Sequence, residues 1–244
     1  MDLKSQRRAI RPLLDEIKPA DALAIYYAFY HPDPKTSLVL HPAAAQTAQG
    51  YIALSRTGLD LFRPLVTMRL PLDDHQASAE LVQASLPAEA PAILYAPENH
   101  APLLNALFDV QSEERFHVLV LDRGRYQPVI NVLVTQEESP NGLPRFVIRS
   151  RQDENRVAAS AGINWQTPTF AEISIHTEAD HRRQGWGRSV VAALCQHILD
   201  GGRTPLYAVG ENNRPSLQLA QSAGFVDLGI RRLLLQATRG HISS

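Results

Sequence analysis

The stretch of this sequence that is richest in possible chemistry covers residues 170–187 and reads FAEISIHTEADHRRQGWG. An alternating strand pattern leads into two arginines and two glycines, and a helical pattern follows. Glycines at a strand-to-helix turn let a ligand approach the backbone closely, and the first helical N–H groups have no partner within the helix. These amides, the helix dipole and the arginines together favour the binding of a phosphate or pyrophosphate.

The scarcity of lysine and the missing third glycine argue against several other kinds of binding or catalytic site. Only three of the 24 Lys and Arg residues are lysines, at positions 4, 18 and 35. A Walker-type loop, a protein kinase and a Schiff-base enzyme each need a lysine, which the sequence after Lys35 does not supply. A dinucleotide-binding loop is disfavoured because Val190 stands where GxGxxG requires a third glycine after Gly185 and Gly187.

The remaining reactive side chains nearby indicate structural roles. Cys195 falls on the apolar stripe of the helix after the loop, so we expect a small buried hydrophobe and not a nucleophile. His176 and His181 do not have the HExxH spacing, so no metal site is predicted. The GxSxG elbow of many hydrolases is absent from the sequence.

The composition limits the binding partners and the cellular compartment that we expect for this protein. A net charge of −1 without a basic stripe argues against a nucleic-acid partner. No apolar run approaches the roughly 18 residues of a membrane span, and residues 1–4 lack the apolar core of a signal peptide. The single cysteine cannot form an internal disulfide, which is typical of a reducing compartment. We therefore expect a soluble cytoplasmic protein that binds neither nucleic acid nor membrane.

The elements that must position the loop follow from hydrophobic periodicity and from turn residues. In the first half of the sequence, these patterns predict helices at 3–17 and 20–30, strands at 36–40, 51–55 and 61–72, a helix at 74–86, a strand at 92–95 and a helix at 101–108. The second half predicts strands at 117–121, 129–135, 145–149, 156–163 and 170–177, a turn at 139–142, a helix at 185–200, a strand at 205–209, a helix at 215–223 and a final strand pair over 228–237. The two halves share the order strand–strand–strand–helix–strand–helix–strand, which indicates a duplicated architecture with its boundary in the polar stretch 109–114.

The loop and the elements around it resemble the acetyl-CoA-binding core of the GNAT superfamily, the acyl-CoA-dependent N-acyltransferases. The signature after the family's fourth strand is Gln/Arg-x-x-Gly-x-Gly/Ala, and residues 182–187 match it in full. A second block is similar to the family's fifth strand, the Asn that starts the next helix and the Gly-Phe that follows it. Its three parts are LYAV at 206–209, NRPS at 213–216 and AGF at 223–225. The resemblance covers about residues 115–240.

This resemblance implies an α/β (α+β) fold of two GNAT-like lobes, each a mixed, mostly antiparallel sheet flanked by helices. We expect a degenerate N-terminal lobe at residues 1–112 and an acetyl-CoA-binding domain at residues 113–244. In the first lobe, Asp73, Asp74 and His75 follow the corresponding strand without a glycine, and acidic side chains there would repel a pyrophosphate. The first lobe would then complete the sheet core and wall an acceptor cleft.

The resemblance also implies roles for individual residues. Backbone groups of Ile175, His176 and Thr177 would bind the pantetheine arm as an added strand does. Asn213, near the thioester end, and Ser216 would also contact the cofactor. The loop and helix start would hold the pyrophosphate through Arg182, Arg183, Gln184, Gly185, Trp186, Gly187 and Arg188.

The implied reaction is direct attack of an acceptor amine on the acetyl carbonyl. A strand amide would stabilise the oxyanion, and a base would take the proton of the amine. Glu172, His176 and Glu178 are the candidate bases, and we predict Glu172 and His176 as the catalytic residues. The sequence departs from the family at Ala220, where many relatives have a tyrosine that protonates the thiolate, and at Ala208, where some have a glutamate base.

Two functions stay open on the sequence. The first is an N-acetyltransferase that uses acetyl-CoA as co-substrate, without a metal, on a small-molecule or peptide amine, and that acts as a monomer or homodimer. The second is a non-catalytic acyl-CoA-binding or scaffold protein with a GNAT fold, which Ala220 and the unassigned base favour.

Overall fold

The computed structural model describes residues 1–58, 60–150 and 154–240, and these form two compact units. The first unit comprises Met1–Phe116 and the described residues from Arg231 onward, and the second comprises His117–Ile230. The limits 1–112 and 113–244 stay a prediction about functional lobes. The compact units differ from these lobes, because the C-terminal residues belong to the first unit. No helix in the described part of the chain is long and apolar enough to cross a membrane.

Most of the predicted helices and strands occur in the predicted order along the chain. The α-helices of the described residues are α1 (Leu3–Ile10), α2 (Ala22–Ile25), α3 (His75–Ser85), α4 (Ala101–Leu107), α5 (Trp186–Asp200) and α6 (Arg214–Ser222). The strands are β1 (Thr36–His41), β2 (Gly50–Ser55), β3 (Leu65–Arg69), β4 (Pro91–Pro97), β5 (Phe108–Leu121), β6 (Thr135–Glu138), β7 (Pro144–Arg149), β8 (Val157–Gln166), β9 (Phe170–Thr177), β10 (Thr204–Gly210) and β11 (Phe225–Arg239).

The first unit is built on β1, β2, β3, β4 and the C-terminal part of β11. Neighbouring strands pair antiparallel except β3 and β4, which are parallel and are joined through α3. A parallel pair needs such a crossover, because a tight turn can join only antiparallel strands. One face of these strands is apolar and packs on the two helices α3 and α4, with Val66 and Leu94 buried beside Leu81 and Leu104.

The second unit repeats this arrangement around the predicted loop. The strands β6, β7, β8 and β9 pair antiparallel, and β9 pairs parallel with β10 through the crossover helix α5. The apolar stripe of α5 is buried against the sheet, where Val190 and Leu194 join Ala161 and Ile173 in one core. The predicted fold class is therefore confirmed: helices flank mixed, mostly antiparallel strands.

Prolines shorten several predicted elements in the first unit. The helix predicted over 3–17 ends at Ile10 and continues as a 3₁₀ turn, because Pro12 cannot donate an α-helical hydrogen bond. The strand predicted over 61–72 is confined to β3, with Pro64 before it and Pro71 two residues after its end. The helix predicted over 20–30 is α2 followed by a π-helical turn at Tyr26–Tyr30.

Three predictions on strands were wrong. The strand predicted at 117–121 begins earlier than predicted, because the polar stretch 109–114 is also part of β5. The apolar pattern at 129–135 is not a strand except at Thr135, where β6 begins, and Val132 and Val134 pack on the core as loop residues. The predicted final strand pair is the single long strand β11.

Candidate functional site

The strands β9 and β10 separate before the loop that joins β9 to α5, and we call this separation the fork. The parallel register of the two strands runs from Phe170–Thr204 to Glu172–Leu206 and ends there, although both strands continue. On its other side β9 stays paired with β8 as far as Thr177. The β10-facing edge of β9 beyond Glu172 is therefore open. An extended chain can pair with backbone groups there, and this is the edge predicted to use Ile175, His176 and Thr177.

The loop after β9 presents a run of free backbone amides. Arg183 and Gly185 both have left-handed backbones, with φ of 62° and 77°, and α5 begins at Trp186. Gly185 is the N-cap of α5, and no side chain caps the helix. The backbone N–H groups of residues 183–188 donate to no atom in the described part of the chain. Six consecutive unpaired amides at a helix start form an anion site.

The start of α5 is packed too closely on β9 to accept a side chain in place of Gly187. A Cβ at Gly187 would lie 3.1 Å from Oγ1 of Thr177 and 3.4 Å from Cδ2 of Leu219. One residue further on, Nε of Arg188 is buried without a hydrogen-bond partner among the described residues. Free backbone amides at a helix start, together with the arginines of the same segment, are donors that suit a pyrophosphate. The residues present therefore fit the phosphates of a coenzyme A thioester.

The side chains of the loop stabilise its own backbone. Nε of Arg182 donates to the carbonyl of Thr177 at 3.3 Å, and Nε2 of Gln184 donates to the carbonyl of Asp180 at 3.4 Å. The ring of Trp186 stacks on His181, with centroids 4.8 Å apart and planes 20° from parallel. These contacts preorganise the loop and leave its amides free.

The corresponding helix start in the first unit is closed. At the N-terminus of α3, the carboxylate of Asp74 accepts a hydrogen bond from the amide of Ala77 at 2.9 Å. The side chain thus occupies a position that an anionic ligand would need, and its charge repels phosphate. The difference supports the prediction that only the second unit binds the coenzyme.

The second predicted block forms the start of α6. Oδ1 of Asn213 accepts a hydrogen bond from the amide of Ser216 at 3.2 Å, so Asn213 is an N-cap. Ala220, the position of the expected acid, is fully buried in the core and leaves no proton donor there. Contacts of Asn213 and Ser216 with a cofactor stay predictions.

Glu172 lies at the closed end of the fork and is 9% exposed. A bulge in β8 leaves Asn164 without a partner in the register, and its Nδ2 donates to Oε1 of Glu172 at 3.1 Å. Burial raises the pKa of Glu172 to about 7, and hydrogen bonds from Asn164 and Trp165 offset part of this effect. A carboxyl group with such a pKa is suited to accept a proton near neutral pH.

The raised pKa makes the free energy of unfolding depend on pH. The folded pKa exceeds the unfolded value, so Glu172 favours the folded state below about pH 4.5, and this contribution is lost as pH rises through 7. Relative to Glu172→Gln, which does not titrate, the wild type should lose on the order of 3 kcal/mol between pH 4 and pH 8. Denaturant unfolding of both proteins at several pH values checks this, and a constant difference would contradict it.

The other predicted base candidates are more exposed. The side chain of His176 is 63% exposed, and its Nε2 lies 3.3 Å from Oε1 of Glu178. His176 is four residues from Glu172 on the same strand face, which is about 13 Å along the strand. The predicted burial of Cys195 is confirmed, and burial raises the pKa of its thiol. In the described ranges, no three His, Cys, Asp or Glu side chains meet as a metal site requires.

A groove of about 410 Å³ lies on the face of β8 and β9 that carries Ser174 and His176. Its lining includes Asn164, which holds Glu172, and the predicted turn at 139–142, where Nδ2 of Asn141 donates to the carbonyl of Ile163 at 3.0 Å. Sequence reasoning missed Asn164 and the groove. The one available signal was a lone asparagine within an otherwise apolar strand.

Comparison with known proteins agrees with this geometry. Residues 154–232, which include β8, β9, the loop, α5 and α6, match the model of the FR47-like protein family. The sequence has no significant match among curated proteins.

Solved structures extend the likeness to the whole fold. A GNAT-family acetyltransferase from Colwellia psychrerythraea is 12% identical over 97% of this chain and 94% of its own, with a TM-score of 0.56. A tandem GNAT protein from the clavulanic acid biosynthesis pathway is 12% identical over 99% of this chain and 95% of its own, with a TM-score of 0.59. A Drosophila protein is 14% identical over 96% of this chain and 87% of its own, with a TM-score of 0.64.

Proposed function

We propose that this chain, which has the GNAT fold and an FR47-like segment, is an N-acetyltransferase that moves an acetyl group from acetyl-CoA to an amine. The observation that carries the proposal is that three features adjoin one another in the second unit: the buried carboxyl of Glu172, the open edge of β9 and the free amides at the start of α5. An open strand edge leads from the buried carboxyl of Glu172 to six free amides at the start of α5. This is the shape and the donor set that an acyl thioester on a long phosphorylated arm would need.

The amides of residues 183–188, with Arg188, would hold the pyrophosphate at the start of α5. The pantetheine arm would lie along the open edge of β9, paired with the backbone of Ile175 and Thr177, and would bring the thioester toward the closed end of the fork. A β9 amide at that end would stabilise the oxyanion of the tetrahedral intermediate.

The acceptor amine would arrive from the opposite face of the strands. Residues of β9 alternate, so that Ile173 faces the core under α5 while Ser174 lines the groove, and the buried Glu172, on the same face as Ser174, is held by the groove residue Asn164. Glu172 would take the proton of the amine, directly or through one water, as nitrogen attacks the acetyl carbon. The carbon–sulfur bond then breaks and the thiolate leaves, and no protein acid is needed at Ala220 because a thiolate is a good leaving group.

A second candidate function is favoured by one observation. Ala220 is buried where relatives are expected to carry a tyrosine, so the chain lacks that proton donor. A protein that binds acyl-CoA without turnover, as a scaffold, would tolerate this loss. Glu172 counts against the scaffold, since a buried carboxyl with a pKa of about 7 destabilises the folded protein at neutral pH and needs a functional reason.

The first unit would not bind coenzyme, because Asp74 closes the start of α3. We infer a tandem arrangement with one active lobe and one degenerate lobe. The buried, unpaired thiol of Cys195 is consistent with a reducing compartment such as the cytoplasm.

Titration with acetyl-CoA tests the binding half of the proposal. We expect one acetyl-CoA per chain, detected by calorimetry and by a rise in the melting temperature. Binding should weaken with rising salt, because the contacts are largely ionic. Two bound molecules per chain would contradict the degenerate first lobe, and the absence of both heat and thermal shift would overturn the proposal.

A further inference from the structure

The groove near Glu172 contains one cation, Arg145, that no acidic group of the described residues neutralises. Its lining is mostly small and polar, and Arg145 is the one lining residue of the described chain with a permanent charge. Arg145 forms no ion pair or hydrogen bond within the described residues. His176, the other basic group of the lining, is in contact with Glu178. The groove therefore offers a free guanidinium to whatever occupies it.

The acidic side chain nearest to Arg145 in the strand register is already engaged. Glu137 on β6 is the Cα partner of Arg145, but its Oε1 accepts hydrogen bonds from Nη2 and Nε of Arg149 at 2.7 and 3.2 Å. On the other side, Arg145 is paired with Gly162 of β8. A Cβ at Gly162 would lie 3.7 Å from Cγ of Arg145, so the glycine keeps the groove clear beside the arginine stem.

The register also fixes where the cation lies relative to the proton acceptor. Arg145, Gly162 and Ser174 form one row across three neighbouring strands, so Arg145 and Ser174 are about 10 Å apart at Cα. Glu172 is two residues before Ser174 on the same face, about 7 Å along the strand. Arg145 lines the groove, and Glu172 adjoins it through Asn164, a lining residue that donates a hydrogen bond to Glu172.

We propose that the acceptor is a primary amine that also carries a carboxylate, as a free amino acid does. Arg145 would bind the carboxylate, because a guanidinium offers paired donors that match its two oxygens. The amine would then point toward Glu172 and the thioester. This inference rests on the proposed acetyltransferase function, but its test reads acceptor binding and does not depend on turnover.

Matched pairs of acceptors test the inference. Standard amino acids, β-alanine and 4-aminobutyrate are compared with their carboxamides, by calorimetry on the protein saturated with CoA. At least one acid should bind more tightly than its amide, and Arg145→Gln should weaken that acid by about tenfold to a hundredfold while leaving the amide unchanged. Arg149→Gln is the matched control: it lies on the same strand but is paired with Glu137 outside the groove lining, and it should leave acid binding intact.

The outcomes separate this inference from the proposed function. If the protein binds acetyl-CoA but no acid binds better than its amide, or Arg145→Gln weakens acids and amides equally, the carboxylate inference is overturned and the acetyltransferase proposal stands. A protein that fails to bind acetyl-CoA overturns the proposed function itself.

Discussion

Glu172→Gln should lower kcat by a factor of about 10² to 10⁴, which is the usual contribution of a positioned general base. Glutamine keeps the shape of the side chain and can still accept the hydrogen bond from Asn164, but it cannot take a proton from the acceptor amine. Binding of acetyl-CoA should not change, since the amides proposed to hold its phosphates lie on the loop and at the start of α5. Steady-state release of free CoA thiol, with acetyl-CoA and an accepted amine, measures the loss.

The pH profile of the wild type gives an independent check on the same residue. Because the base must be deprotonated, kcat/KM should fall as pH drops below an apparent pKa of about 7, and this limb should be absent in Glu172→Gln. Glu178→Gln serves as the control, because Glu178 is 46% exposed after the end of β9 and should leave the profile unchanged. A Glu172→Gln protein with full activity would show that another group, such as His176, is the base.

Gly185→Asp should weaken acetyl-CoA binding by about a hundredfold, which corresponds to roughly 3 kcal/mol. The new carboxylate would lie at the N-cap of α5, where it competes with the pyrophosphate for the same amides and repels it. The cost in stability should be about 1 kcal/mol, because aspartate adopts a left-handed backbone less readily than glycine.

The chain supplies a matched control at the other end of the same helix. Gly202 has φ of 76° against 77° for Gly185, and a Cβ at either position meets no atom within 4 Å. Gly202→Asp therefore carries the same backbone strain but places no charge near the amides at the start of α5. Its affinity for acetyl-CoA should equal that of the wild type. Calorimetric titration of both variants decides the matter. Equal losses of affinity in the two proteins would mean that the effect is strain and that the amides do not hold the phosphates.

The strand, loop and helix proposed to bind the coenzyme could be predicted because the residues that form them are neighbours in the sequence. Residues 171–176 alternate between apolar and polar side chains, and the structure gives β9 the predicted limits Phe170–Thr177. Gly185 and Gly187 stand between that strand and an amphipathic helix, so their roles follow from the types of neighbouring residues. The free amides are a consequence of the helix start itself and needed no long-range information.

The groove proposed to bind the acceptor could not be predicted, because strand register brings its residues together. Arg145 and Ser174 are 29 positions apart in the sequence (174 − 145) and meet only through the pairing of β7, β8 and β9. The bulge at Asn164, which puts a donor on Glu172, depends on how two strands align and has no signature in either strand alone. The first part of β5 could not be predicted as a strand, because residues 109–114 are mostly polar and exposed and lack an apolar alternation.

Transfer of an isotope-labelled acetyl group is the most direct measurement of the central claim. The wild type is incubated with labelled acetyl-CoA and the amine panel described above, and products are identified by mass spectrometry. We expect one labelled N-acetyl product with an equal amount of free CoA thiol, and its loss in Glu172→Gln although that variant still binds acetyl-CoA. Tight binding of acetyl-CoA with no labelled amine from any acceptor would contradict the account and identify the chain as an acyl-CoA-binding scaffold.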